Sequence, residues 1–71
     1  MFTVWSMDDC NWCTRVCELL ADKGIPFEKV QPPLPEMKAM MRIYGFTTLP
    51  QVFNEDGSHI GGYAETVAHL K

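Results

Sequence analysis

The spacing of apolar residues changes character several times along this chain, and each change marks an element. Phe2 to Trp5, "FTVW", is aromatic and β-branched, which predicts a strand. From Trp12 the period lengthens: Cys13, Val16, Cys17 and Leu20 fall at i, i+3, i+4 and i+7, one face of an amphipathic helix. Arg15, Glu18 and Asp22 lie off that stripe, and Gly24 supplies a stop. Ile25 to Val30, "IPFEKV", reads as a short strand whose proline confines it to a strand start or an edge. Gln31 to Pro35, "QPPLP", is a stiff connector, and Pro35 suits the first turn of a helix. Met37, Met40, Met41 and Tyr44 then repeat the helical spacing up to Gly45. Gln51 to Asn54 predicts a strand and Glu55 to Ser58 a turn. His59 and Ile60 begin the return strand, which Gly61 and Gly62 break. Ala64 to Lys71 reads as a short final helix.

The predicted order is β-α-β-α-β-β-α. A strand, a crossover helix and a strand imply a parallel pair with a right-handed connection, and the tight turn at Gly57 implies an antiparallel hairpin. The expected architecture is α/β, a small mixed four-stranded sheet with helices packed on both faces.

Composition narrows the function. The 71 residues allow a single domain, 1–71, at a size that buries only about 60% of its unfolded surface. An apolar fraction of 46% with 21% charged residues fits a folded chain. A net charge of −3 with six Lys and Arg argues against nucleic acid as a partner. No apolar run approaches the roughly 20 residues of a membrane span, and "MFTVWSMDDC" lacks the basic start and long apolar stretch of a signal peptide. Three cysteines crowd into Cys10 to Cys17, so none can tie distant segments together. A monomer in a reducing, cytoplasmic compartment is expected, with the thiols present for chemistry.

The helix predicted from Trp12 puts Cys10 at its N-terminus and Cys13 one turn inside. Unsatisfied N–H groups and partial positive charge at that end favour a thiolate at Cys10. Cys13 is near enough to close a small disulfide ring. Asp8 and Asp9 oppose the thiolate, and Arg15 is placed to tune it in the other direction. Cys17 shares the apolar stripe and reads as a core residue. Metal binding is the competing reading. Zinc needs four N or S ligands, whereas this chain has one Cys-X-X-Cys, and His59 and His69, read as ordinary surface residues, lie far along it. Cys10, Cys13 and Cys17 could hold three corners of an iron–sulfur cluster if glutathione or a second subunit supplied the fourth. A resident metal is not expected.

The stretch "TTLPQVF", Thr47 to Phe53, puts a proline directly before a strand, which cannot donate to a ladder. A cis Leu49–Pro50 bond accounts for it, since X-Pro is where cis is cheap. The Leu49 backbone would then be free to pair with an extended ligand.

"CNWC" at a strand-to-helix junction, "TLPQVF" about 35 residues on, and "DGSHIGGY" together resemble a glutaredoxin of the thioredoxin fold, with particular similarity to bacteriophage-encoded glutaredoxins. The resemblance implies a thiol–disulfide oxidoreductase that reduces protein disulfides and glutathione mixed disulfides, with glutathione as cosubstrate and no permanently bound cofactor. It implies Cys10 as nucleophile and Cys13 as resolving thiol. It implies Trp12 beside the glutathione groove, Pro50 as the cis proline, and Thr48 and Leu49 before it, Leu49 bonding the cysteinyl unit. Gly61 and Gly62 would let the groove wall come close, Tyr63 and Ala64 would present N–H groups to the γ-glutamyl carboxylate, and Arg42 would face the glycyl carboxylate. Ribonucleotide reductase is an implied protein substrate. The chain departs from the family at Asn11, where proline is common, at Ala64, where an acid is common, and at Asp8 and Asp9, where a lysine is frequent. Those departures bear on glutathione, so reduction by thioredoxin reductase stands as an alternative, beside a glutathione-ligated iron–sulfur carrier.

Overall fold

A computed structural model describes residues 1–71. The elements are β1 (Phe2–Trp5), α1 (Asn11–Asp22), β2 (Phe27–Val30), α2 (Leu34–Tyr44), β3 (Gln51–Phe53), β4 (His59–Gly61) and α3 (Tyr63–His69). The strands lie in the order β2-β1-β3-β4. β1 and β2 are parallel, whereas β1–β3 and β3–β4 are antiparallel. The order and the mixed sheet are those the sequence predicts. Several boundaries move by one or two residues. β2 begins at Phe27 rather than Ile25, because the Ile25 amide closes the end of α1 by donating to the Leu20 carbonyl at 2.9 Å. α3 begins one residue early, at Tyr63.

Strand alternation sorts the side chains onto two faces. Phe2 and Val4 of β1 and Val52 of β3 join Val16 and Leu20 of α1 in one buried cluster. Cys17, Tyr63 and Leu70 pack at its margin, which puts α1 and α3 on the same side of the sheet. Trp5 and Phe53 point the other way, and Tyr44 of α2 meets the Phe53 ring edge at 5.3 Å. Helices therefore cover both faces. On α2 only Met37 of the predicted stripe is buried; Tyr44 stays 42% exposed. Burial of Cys17 raises its thiol pKa, with the positive charge of Lys29 acting the opposite way.

His59 does not lie on the surface as its sequence context implied. It is half-buried, with its ring 5.1 to 5.7 Å from those of Phe53, Tyr44 and Phe46. The alternation of β4 turns it onto the α2 side, where these aromatics enclose it. His69 is exposed, with only an edge contact to Phe2 at 6.4 Å. No helix is long and apolar enough to cross a membrane.

Candidate active site

The site forms where β1 ends and α1 begins. Cys10 is the N-cap of α1, in extended backbone (φ −106°, ψ 104°). Its Sγ accepts the Cys13 backbone N–H at 3.2 Å, so the cap bond that usually goes to a Ser or Asp oxygen here goes to sulfur. Cys10 and Cys13 are joined in a disulfide, with Cα atoms 5.2 Å apart. The two are unequal: Cys13 is 1% exposed, packed into the protein, while Cys10 is half-buried and within 3.9 Å of the Leu49 carbonyl oxygen. Reduction would leave that N–H, at the positive end of α1, facing a sulfur free to carry charge.

The acids before Cys10 have structural work. Asp9 adopts φ 58°, the left-handed conformation that turns the chain from β1 into the helix, and Asp is among the few non-glycine residues that tolerate it. Asp8 accepts from Gln31 Nε2 at 3.4 Å, tying this turn to the end of β2.

Beside the disulfide runs an open groove of about 630 Å³. Thr48, Leu49 and Pro50 form one wall, with a cis Leu49–Pro50 peptide. Gly62, Tyr63 and Ala64 form the other, and Trp12 overhangs it. The Trp12 and Tyr63 rings meet at 5.3 Å, and Trp12 remains 50% exposed. Arg15 carries its guanidinium to 4.7 Å from the Trp12 ring centroid, a cation–π contact that places its charge at the rim. Arg42 lies on the exposed side of α2, outside the groove lining.

Two lining residues escape the sequence reading, Glu65 and Val67. Glu65 Oε1 accepts the Gly62 N–H at 2.8 Å, closing the first turn of α3 from behind. This side chain also explains the glycine pair. A Cβ on Gly61 would stand 2.7 Å from both Cβ and Cγ of Glu65, and Gly61 holds φ 131°. A Cβ on Gly62 would meet only Glu65 Oε1 at 3.2 Å and the Pro50 carbonyl at 3.5 Å. Glu65 is the one charged side chain among the lining residues, and it is negative. The chain gathers no group of three or more His, Cys, Asp or Glu side chains suited to a metal, and Cys17 stays apart as a free thiol.

Residues 2–60 match the model of the Glutaredoxin family. The chain belongs to the glutaredoxin family. It is 33% identical to Glutaredoxin 3 of Escherichia coli (strain K12) over 61 residues, 83% of this chain and 72% of that protein. Among solved structures, it superposes on the buckwheat glutaredoxin–glutathione complex with a TM-score of 0.85 at 26% identity, covering 97% of this chain and 66% of that one. It also resembles the glutaredoxin-like NrdH-redoxin from Escherichia coli, whose structure was solved to explain a thioredoxin-like activity profile. There the TM-score is 0.78 at 25% identity, covering 99% of this chain and 93% of that one. Family and fold together support thiol–disulfide oxidoreductase activity for the chain, and its Cys10–Cys13 disulfide is a redox pair of the Cys-X-X-Cys type.

Proposed function

We propose that this protein is a dithiol glutaredoxin in which Cys10 attacks and Cys13 resolves. The observation that carries this reading is the asymmetry of the pair: Cys10 caps α1 beside the groove and accepts the Cys13 N–H, while Cys13 is buried behind it. The Cys10 thiolate attacks one sulfur of a substrate disulfide, forming a mixed disulfide and releasing the other sulfur as a thiolate, which takes a proton from water. The deprotonated Cys13 then attacks Cys10 Sγ, leaving the Cys10–Cys13 disulfide and the fully reduced substrate. Two glutathione thiols restore the dithiol and leave as glutathione disulfide. When the substrate is a glutathione mixed disulfide, attack by Cys10 on the glutathione sulfur frees the protein thiol, and a second glutathione clears Cys10.

Glutathione as the ligand is supported by the open groove that Thr48, Leu49 and Pro50 line, and by the likeness to a structure solved with glutathione. Ribonucleotide reductase is the protein substrate we infer. One observation favours a second electron donor: Glu65 is the only charged side chain lining the groove, Arg42 stands outside it and Arg15 reaches only the rim over Trp12, so no cation lines the groove to receive the two carboxylates of glutathione. Reduction by thioredoxin reductase is therefore the second reading.

Turnover of the purified protein with glutathione and glutathione reductase, against turnover with thioredoxin reductase, decides between them. Reduction by the first system alone supports the glutathione reading, and reduction by the second alone removes it. Cys10→Ser should abolish both activities, whereas Cys13→Ser should lose disulfide reduction and keep deglutathionylation.

A further inference from the structure

Gln51 follows Pro50 directly, is only 4% exposed, and spends both ends of its amide. Its Nε2 donates to the Thr48 carbonyl at 2.9 Å, and its Oε1 lies 2.6 Å from His59 Nε2. The direction of these bonds is fixed by chemistry. A backbone carbonyl only accepts, so the amide nitrogen must face Thr48 and the amide oxygen must face His59. The imidazole therefore carries its proton on Nε2. The chain of donors runs from His59 to Gln51 to Thr48.

This relay crosses the sheet where its ladder is broken. Val52 pairs with Gly61 and Phe53 with His59, so Ile60 is an extra residue on β4, a bulge that interrupts main-chain pairing. Both groove walls leave the sheet beyond the Val52–Gly61 pair: β3 runs back from Gln51 through Pro50, Leu49 and Thr48, and β4 runs on from Gly61 into Gly62 and Tyr63. His59 lies across the bulge, at the hairpin end of β4. The His59 ring is itself held among Tyr44, Phe46 and Phe53 on the α2 face.

We propose that Gln51 and His59 form a side-chain clamp that holds the Thr48–Leu49–Pro50 wall of the groove to β4, the strand that leads into the opposite wall, which makes Gln51 a positioning residue for substrate binding. The proposal rests on the reading that the groove takes a glutathione mixed disulfide. Gln51 touches neither sulfur; it acts through Thr48. Losing it should weaken substrate binding and leave the thiol chemistry intact.

Two variants test it. Gln51→Met keeps the length and removes both hydrogen bonds, and His59→Phe keeps the ring in its aromatic surroundings and removes one. With a glutathionylated peptide as substrate, KM should rise about tenfold in Gln51→Met, the scale of a lost buried hydrogen bond, with kcat within about twofold. His59→Phe should shift KM in the same direction by a smaller factor. In the free protein, ¹⁵N order parameters of Thr48 and Leu49 should fall from a rigid value near ~0.85 towards ~0.6 in Gln51→Met. Unchanged KM would overturn the positioning role, whether or not the order parameters move, and a kcat loss at constant KM would overturn it as well. If Gln51→Met fails to fold, His59→Phe decides by the same readouts. If the wild-type protein does not turn over the glutathionylated peptide, the functional reading fails instead, and the order parameters alone decide the clamp: a fall supports it and constancy overturns it.

Discussion

Replacing Gly61 by alanine should be far more damaging than replacing its neighbour Gly62. At Gly61 the new Cβ would sit 2.7 Å from both Cβ and Cγ of Glu65, and the backbone there holds φ 131°. The atoms it meets belong to the root of a helical side chain, so α3 itself must shift. A side chain forced into that part of φ space costs about 1–3 kcal/mol before any clash, and overpacking adds about 1–3 kcal/mol more. For a domain of this size, whose whole stability is on the order of 4–10 kcal/mol, a loss of about 3 kcal/mol is large. It should lower Tm by roughly 12–24 °C at about 4–8 °C per kcal/mol. At Gly62 the nearest atom, 3.2 Å away, is the carboxylate tip of Glu65, which can rotate aside. Gly62→Ala should therefore cost less than about 1 kcal/mol. Adding Glu65→Ala to Gly61→Ala removes the Cγ contact but leaves the φ strain and the Cβ contact, so it should restore only part of the loss. Thermal unfolding of the four proteins by circular dichroism measures all of this. A Tm for Gly61→Ala within a few degrees of wild type, or equal losses at the two glycines, would refute the account of why the pair is there.

Two further outcomes follow from the same contacts. Glu65→Gln keeps an acceptor for the Gly62 N–H and removes the only charge lining the groove, so glutathione, an anion, should bind severalfold more tightly by calorimetry at low salt and less distinctly so at high salt. Burial raises the Cys17 thiol above its ordinary value near 9.0; the neutral thiol is thus favoured in the folded state, and the stability this contributes is intact below pH 9 and lost as pH rises beyond it. Denaturant unfolding of the reduced protein from pH 8 to pH 10 should show that loss, and Cys17→Ala should show less of it.

The sheet and its helices were legible because burial follows period. Phe2 and Val4 alternate, Val16 and Leu20 repeat at helical spacing, and those four with Val52 are the core the chain forms. The unequal cysteines were also legible, since the start of the apolar stripe put a helix terminus at Cys10. Other features depend on packing that no local pattern carries. His59 precedes a bulge in a strand of only three residues, too short for alternation to announce its face. Glu65 did leave a signal, an acid three residues after the Gly62 N-cap, the spacing of a capping box. Asp8 and Asp9 also have a structural role that the sequence does not announce, through the positive φ of Asp9 and the Gln31 bond to Asp8. The position of Arg42 depends on how α2 lies over the sheet, which its own sequence does not specify.

The central claim, that Cys10 attacks and Cys13 resolves, is tested most directly by trapping the intermediate. Cys13→Ser, reduced and then mixed with glutathione disulfide, should gain a single glutathione, and peptide mapping by mass spectrometry should place it on Cys10. An adduct on Cys17 instead, or none at all in folded protein, would contradict the account.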